Sequence, residues 1–206
     1  MGKRVFHGLL MLLCFVLPVT AVNRLGENKE SLIFPYTLPG TDLSLTRLVL
    51  YRNEESGQLG LIAENTGQRY ISCISVKLKT NLGTFCFETN FLPPGERAVL
   101  WDTSPMEELP LILDISGEVT QTYSPFLPEG KVLVTEDENG LWVENRTEET
   151  IPSLWVYYAA YDAVRALYWD KAYITSVHGL RPGEKRFLPV TQDGKYPPRV
   201  IGFRRK

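Results

Sequence analysis

The chain carries the same sequence unit twice, and this duplication is its most restrictive feature. Residues 60–66 and 140–146 share the pattern Gly-Leu-x-x-Glu-Asn at a constant offset of 80. Residues 92–97 and 180–185 share Leu-x-Pro-Gly-Glu at an offset of 88, so the second copy holds eight extra residues within 159–172. Two anchors on one consistent alignment indicate an internal repeat of a single structural unit.

Each copy shows the two-residue period of a half-buried strand. In the first copy Ile74, Val76 and Leu78 alternate with Cys73 and Lys77, which predicts a strand with one face turned to a core. No segment of residues 22–206 has the 3.6-residue apolar period of an amphipathic helix. The pattern therefore predicts an all-β protein.

Turn residues separate the predicted strands at regular intervals. Asn139-Gly140 lies between two short apolar runs and is a strong hairpin signal, since both residues tolerate positive φ. Pro-Gly-Glu at 94–96 and again at 182–184 predicts a turn before a further strand. Residues 123–130 contain two prolines and are the predicted linker between the copies.

Short strands with frequent turns favour two tandem immunoglobulin-like antiparallel β-sandwich domains. We place the first domain at residues 32–122 and the second at residues 131–206. Net charge is −2 over 206 residues, which argues against nucleic acid as a partner.

The first 21 residues have the three parts of a secretory signal. Lys3 and Arg4 are followed by an uncharged apolar run at 9–17, and Val19-Thr20-Ala21 places small residues before a cleavage point at Val22. The apolar run is short for a spanning helix, so we expect a protein that is secreted or held at the cell surface. If the segment is retained, it would be the only contact with a membrane.

The second copy resembles a known group of modules. Gly-Leu-x-Val-x-Asn at 140–145, the Tyr-Asp strand end at 161–162 and Leu-x-Pro-Gly-Glu at 180–184 resemble bacterial extracellular immunoglobulin-like repeats of the FxLYD-like and CARDB-like kinds. The first copy has residues 79–83 where the Tyr-Asp end would fall. The resemblance implies a non-enzymatic spacer or binding module with no catalytic residues and no cofactor.

Two cysteines remain once the leader, with Cys14, is removed. An oxidising compartment permits a disulfide between Cys73 and Cys86. The predicted hairpin near Asn81, however, places residue 73 opposite about residue 90, so pairing would need a bulge or a register shift. Two thiols without a bond are the alternative.

Aromatic residues concentrate in the second copy. One set could form an exposed strip that stacks on sugar rings or anchors a protein partner. Its members are Trp155, Tyr157, Tyr161, Tyr168 and Trp169. The competing interpretation is that these rings pack on the first copy or on the long hairpin of residues 159–172.

Candidate catalytic and metal-binding residues are few. His178 is the single histidine after the leader, and neither a nucleophile elbow nor a zinc-type spacing accompanies it. Asp162 and Asp170 flank the extra residues, and loop aspartates usually cap turns. We expect no enzyme and no metal, but an interaction or spacer protein whose partner is a protein or a cell-envelope glycan. The alternative is a carbohydrate-binding module that uses the aromatic face of the second copy.

Overall fold

Alternating apolar residues and closely spaced turns produce a chain of β-strands. The structure is a computed structural model that describes residues 34–52, 57–127, 130–137, 139–190 and 196–205. All the regular secondary structure within these ranges is β-strand. They are β1 (Tyr36–Thr37), β2 (Leu43–Arg52), β3 (Gly57–Asn65), β4 (Tyr70–Thr80), β5 (Gly83–Thr89), β6 (Arg97–Met106), β7 (Ile112–Thr122), β8 (Val132–Asp137), β9 (Gly140–Asn145), β10 (Ile151–Asp162), β11 (Leu167–Tyr168), β12 (Tyr173–Leu180), β13 (Lys185–Pro189) and β14 (Pro198–Arg205).

The strands pair in the same order in both copies. In the first copy β2, β3 and β6 form one sheet with β1 at its edge, and β5, β4 and β7 form another. In the second copy β8, β9 and β13 form one sheet, and β12, β10 and β14 pair in the same way as β5, β4 and β7. All of these pairs are antiparallel. The prediction of an all-β fold with antiparallel sheets is confirmed.

The predicted faces and hairpins agree with the strand register. Ile74, Val76 and Leu78 are each 0% exposed, while Cys73 and Lys77 face outward. One hairpin closes at the pair Thr80↔Gly83. The Asn139-Gly140 turn closes another at the pair Asp137↔Gly140.

Each copy has an apolar core, and the core of the first copy also includes Ala159 and Tyr168 of the second. The first core combines side chains of β3, such as Leu61, with side chains of β4, such as Ile74. The second combines Leu141 of β9 with Leu154 of β10. Residues Leu32–Lys206 nevertheless group as one compact unit, so contacts between the copies matter as well.

The asparagine of the repeated Glu-Asn motif is buried in the first copy and hydrogen-bonds to the backbone around it. Asn65 is 0% exposed. Its Nδ2 group donates to the carbonyl oxygens of Arg69 at 2.8 Å and Leu92 at 3.0 Å. Its Oδ1 atom accepts from the N–H of Gly67 at 3.1 Å. One side chain therefore satisfies three backbone groups, two in the turn at residues 67–69 and one at Leu92.

Asn145 repeats this arrangement in the second copy. It is also 0% exposed, and Nδ2 donates to the carbonyls of Glu149 at 2.8 Å and Leu180 at 2.9 Å. Oδ1 accepts from the N–H of Thr147 at 2.9 Å. Asn145 also begins an Asn-Arg-Thr glycosylation sequon, but in the folded chain its amide is buried and both hydrogens are used.

The second repeated motif meets the first in the same corner. Gly95 donates its N–H to the carbonyl of Asn65 at 2.8 Å, and Gly183 does so to Asn145 at 2.8 Å. The φ angles of these glycines are 72° and 71°, in the left-handed region that favours glycine. The two repeated motifs are therefore hydrogen-bonding partners in both copies.

The eight additional residues of the second copy join the two halves. They lengthen β10 and return through β11, which pairs with it at Tyr161↔Tyr168 and Asp162↔Leu167. On its other side β11 pairs in parallel with β6 at Tyr168↔Ala98. Hydrogen-bonded strands therefore run without interruption from the first copy into the second.

Four aromatic rings from both copies and the predicted linker form what we call the seam cluster, defined as Tyr70, Phe91, Phe126 and Tyr157. The Phe126 ring centroid lies 5.3 Å from those of Tyr70 and Tyr157, and Phe91 lies 4.7 Å from Tyr157. Gly202 supports this packing, because a Cβ there would lie 2.4 Å from the Phe126 ring. The linker is thus packed along part of its length.

The predicted signal peptide, residues 1–21, lies outside the described residues. Among the residues that are described, no helix is long and apolar enough to cross a membrane.

Candidate functional site

A groove opens where the two copies meet, and we call it the seam groove. Its volume is about 730 Å³. Three of the rings that line it lie close together: the ring centroids are 5.7 Å apart for Tyr51 and Trp169, 6.1 Å for Tyr51 and Trp101, and 5.1 Å for Trp101 and Trp169. The volume lies in the range typical of ligand pockets, which are often lined with aromatic side chains.

The rings come from distant parts of the sequence. Tyr51 lies in β2, Trp101 in β6, and Trp169 directly follows β11. The Nε1 atom of Trp101 donates to the carbonyl of Trp169 at 2.7 Å, and the N–H of Trp169 donates to Ala160 at 2.8 Å. Backbone hydrogen bonds thus hold Trp169 in the groove independently of its own indole.

Polar side chains also line the groove. Gln58 and Glu88 come from the first copy, and Asp170, Lys171 and Tyr173 come from the second. Asp170 is held by two hydrogen bonds, from the backbone N–H of Lys171 at 2.7 Å and from the hydroxyl of Tyr173. The groove therefore combines an aromatic surface with fixed hydrogen-bonding groups.

The disulfide considered from the sequence does not form. Both Cys73 and Cys86 are free and exposed. The register pairs Cys86 with Lys77, and Cys73 lies four residues further along β4, about 13 Å at the usual rise per residue. A disulfide requires Cα atoms within about 7 Å. Cys86 instead lines the seam groove, and Cys73 is not among its lining residues.

Asp102 fixes the strand that carries Cys86. This aspartate of β6 is 7% exposed. Its Oδ2 atom accepts from the N–H of Cys86 at 2.8 Å, and Oδ1 accepts from the N–H of Ser104 at 2.8 Å. The carboxylate links strands of two different sheets and so positions one wall of the groove.

The aromatic residues predicted in the second copy do not form one exposed strip. Tyr157 is 3% exposed within the seam cluster, and Tyr168 is 4% exposed beside β6. Trp155 is half-buried on the same strand as Tyr157. Of the five candidates, only Trp169 lines the seam groove.

Tyr161 lies in a different place, beneath a cation. The guanidinium of Arg199 lies 4.1 Å from the Tyr161 ring centroid and also pairs with Glu96 of the first copy at 3.2 Å. Burial raises the pKa of the neighbouring Tyr168 hydroxyl above its usual value. The ion pair of Arg199 with Glu96 and the pairing of Tyr168 with Ala98 both join the second copy to the first.

The residues considered for catalysis are not brought together. His178 is exposed on β12, where its Nε2 atom lies 3.5 Å from Ser176 Oγ. Asp162 is engaged at the hairpin tip and Asp170 in the groove. Within the described residues no group of three or more His, Cys, Asp or Glu side chains could hold a metal ion.

The tip of the hairpin that carries β11 is organised around Asp162, which is 2% exposed. Its Oδ1 atom accepts from the N–H groups of Val164 and Arg165 at 3.0 Å, and Oδ2 accepts from the Arg165 guanidinium at 2.6 Å. Burial alone would raise the pKa of Asp162. The hydrogen bonds from Arg165 and Tyr196 outweigh it, so the pKa lies below its ordinary value.

This lowered pKa predicts acid sensitivity of the hairpin. The carboxylate contributes stability above its unfolded pKa of about 3.9, and that stability is lost as the pH falls through the lower folded value. We expect the free energy of unfolding to fall between about pH 5 and about pH 2 more steeply in the native chain than in Asp162→Asn. Chemical denaturation across this range measures both slopes, and equal slopes would contradict the prediction.

A scan against protein-family models gives no match, and a search of curated proteins gives none.

Tyr51 and Trp101 are two aromatic residues of the groove that the sequence did not single out. Both lie in the first copy, away from the aromatic-rich region. Their only sequence signal is that each is a large ring near the end of an otherwise aliphatic run, at 48–51 and 98–101.

Proposed function

We propose that the chain is an exported, non-enzymatic interaction protein made of two duplicated immunoglobulin-like β-sandwich units, residues 32–122 and 131–206, which acts outside the cell or at its surface. Export rests on the secretory pattern of residues 1–21. The duplicated units rest on the shared motifs and on the strand pairing that both copies repeat. The seam groove is the contact surface.

The observation that carries this proposal is the origin of the groove lining. Tyr51 and Trp101 belong to the first copy, whereas Trp169, Asp170 and Lys171 belong to the region that holds the extra residues of the second. A spacer needs only a stiff connection between its units. The insertion supplies a connection through β11 and, in addition, an aromatic and polar lining, which favours an interaction role over a purely mechanical one.

Saturation-transfer NMR with a mixed library of oligosaccharides, peptides and nucleosides tests the proposal. We expect at least one compound to bind the native chain and to bind Trp169→Ala about tenfold or more weakly, since a central aromatic anchor contributes much of the binding energy. Trp169→Ala keeps the backbone hydrogen bonds that hold position 169.

Trp142→Ala is the matched control. Trp142 is a 36% exposed tryptophan on β9 that contacts Phe187 and lies outside the groove. Its removal should leave binding unchanged. If no compound distinguishes Trp169→Ala from Trp142→Ala, the seam groove is not the contact surface and the proposal fails.

A further inference from the structure

We propose that the ligand of the seam groove is a neutral glycan, a short stretch of linked pyranose rings. This inference rests on the proposed function and names the chemistry of its ligand. It replaces the aromatic strip of the second copy as the site of sugar recognition, because Tyr157 and Tyr168 of that strip are buried.

The arrangement of the rings suits the apolar faces of sugars. The interplanar angles among Tyr51, Trp101 and Trp169 are 70°, 81° and 58°, so the three rings form a corner and not a parallel stack. Tyr51 is 39% exposed, and the corner is open to solvent. Aromatic side chains combine a large apolar surface with little conformational freedom to lose, and the C–H faces of a pyranose pack on such surfaces.

The polar lining suits hydroxyl groups. Gln58 and Thr103 offer donors and acceptors, and the carboxylates of Glu88 and Asp170 accept hydrogen bonds. Asp170 is already oriented by the Lys171 N–H and the Tyr173 hydroxyl. A ligand rich in hydroxyls matches these groups without supplying charge.

Charge separates neutral glycans from acidic ones. Two carboxylates and one ammonium group, Glu88, Asp170 and Lys171, line the groove. A polyanionic chain would meet an excess of negative charge, and like charges in an interface oppose binding.

The strand pairing argues against a peptide added as a further strand. Such a peptide needs an open strand edge for its main-chain hydrogen bonds. Trp101 lies on β6, which pairs with β3 along one side and meets β11 on the other. β11 occupies that side of β6 at Tyr168↔Ala98 only, which shortens the edge open to a peptide strand, whereas the groove itself offers side chains, which suit a glycan.

Isothermal titration calorimetry with the full chain tests this ligand class. The probes are neutral β-linked hexasaccharides of glucose, N-acetylglucosamine and mannose, an oligogalacturonate, and an uncharged peptide of similar length. We expect at least one neutral hexasaccharide to bind, and to bind Tyr51→Ala and Trp169→Ala about tenfold or more weakly. Trp142→Ala should bind as the native chain does, and thermal unfolding confirms that each variant is folded.

The two cysteines give a second readout that needs no substitution. A bound glycan should slow the alkylation of Cys86, which lines the groove, by about fivefold or more when the site is nearly saturated. Cys73 is equally free and exposed but lies outside the groove, so its alkylation should be unchanged. Mass spectrometry of the peptides reads both sites in one sample.

Each other outcome overturns the inference. Tighter binding of the oligogalacturonate, absence of binding by every neutral hexasaccharide, or equal protection of both cysteines contradicts a neutral-glycan site. Peptide binding that Trp169→Ala abolishes would overturn the glycan while leaving the seam groove as the contact surface. The two proposals can therefore fail separately.

Discussion

Replacing Asn145 with alanine should destabilise the protein by about 3–4 kcal/mol. The change leaves the carbonyls of Glu149 and Leu180 and the N–H of Thr147 without their side-chain partner. A buried polar group left unsatisfied costs about 1–3 kcal/mol, and Asn145 is 0% exposed. Denaturant unfolding measures the loss.

Asn65→Ala should produce a loss of similar size, because Asn65 makes the same three hydrogen bonds in the first copy. Asn81→Ala is the matched control. Asn81 accepts one hydrogen bond from Leu111 but is exposed, so water can replace the amide and the loss should stay below about 1 kcal/mol. Equal losses of unfolding free energy for Asn81→Ala and Asn145→Ala would show that the hydrogen bonds of the buried asparagine do not contribute the predicted stability.

Tyr157→Ala should destabilise the chain by about 3–5 kcal/mol, the usual range for removing a large buried ring. The change removes the contacts of Tyr157 with Phe91 and Phe126, which lie in the first copy and in the linker. We also expect the single unfolding transition to broaden or separate into two, because the seam cluster is one of the contacts that make the copies unfold together. Scanning calorimetry measures both effects.

Two further variants separate loss of the ring from general damage to β10 and its neighbour. Tyr157→Phe keeps the ring and should remain within about 1 kcal/mol of the native chain. Ile174 lies in β12, where it pairs with Tyr157 of β10, and it is 52% exposed. We therefore expect Ile174→Ala to change the free energy of unfolding little. A native-like unfolding transition for Tyr157→Ala would contradict the coupling role of the seam cluster.

The sequence predicts much of the fold because its signals are local. Alternation places Ile74 and Val76 inward whatever the rest of the chain does, and Asn139-Gly140 closes its hairpin through its own backbone preferences. The duplicated motifs add confirmation from a second copy. The buried role of Asn65 and Asn145 was not visible, since it depends on carbonyls that lie as far away as Leu92 and Leu180.

The seam groove could not be predicted from the sequence, because it depends on contacts between the two copies. Trp101 and Trp169 are 68 residues apart and meet because β11 pairs with β6, a pairing that no periodicity encodes. The distribution of aromatic residues included both Trp169 and Tyr157 among the candidates, but it did not show that Trp169 lines the seam groove while Tyr157 is buried. Nothing in the sequence distinguishes Tyr157 and Tyr168 from aromatic residues that are exposed to a ligand. Their burial is decided by packing against the first copy.

The pairing of β11 with β6 also affects the order in which the protein can become complete. Synthesis proceeds from the amino terminus, so β6 is made about 60 residues before Leu167–Tyr168 can reach it. Until then the side of β6 that faces away from β3 is an unprotected sheet edge, and such edges recruit strands from neighbouring chains. The inserted hairpin covers the start of this edge, at Tyr168↔Ala98, from within the same polypeptide, so we expect its removal to increase aggregation of newly made molecules.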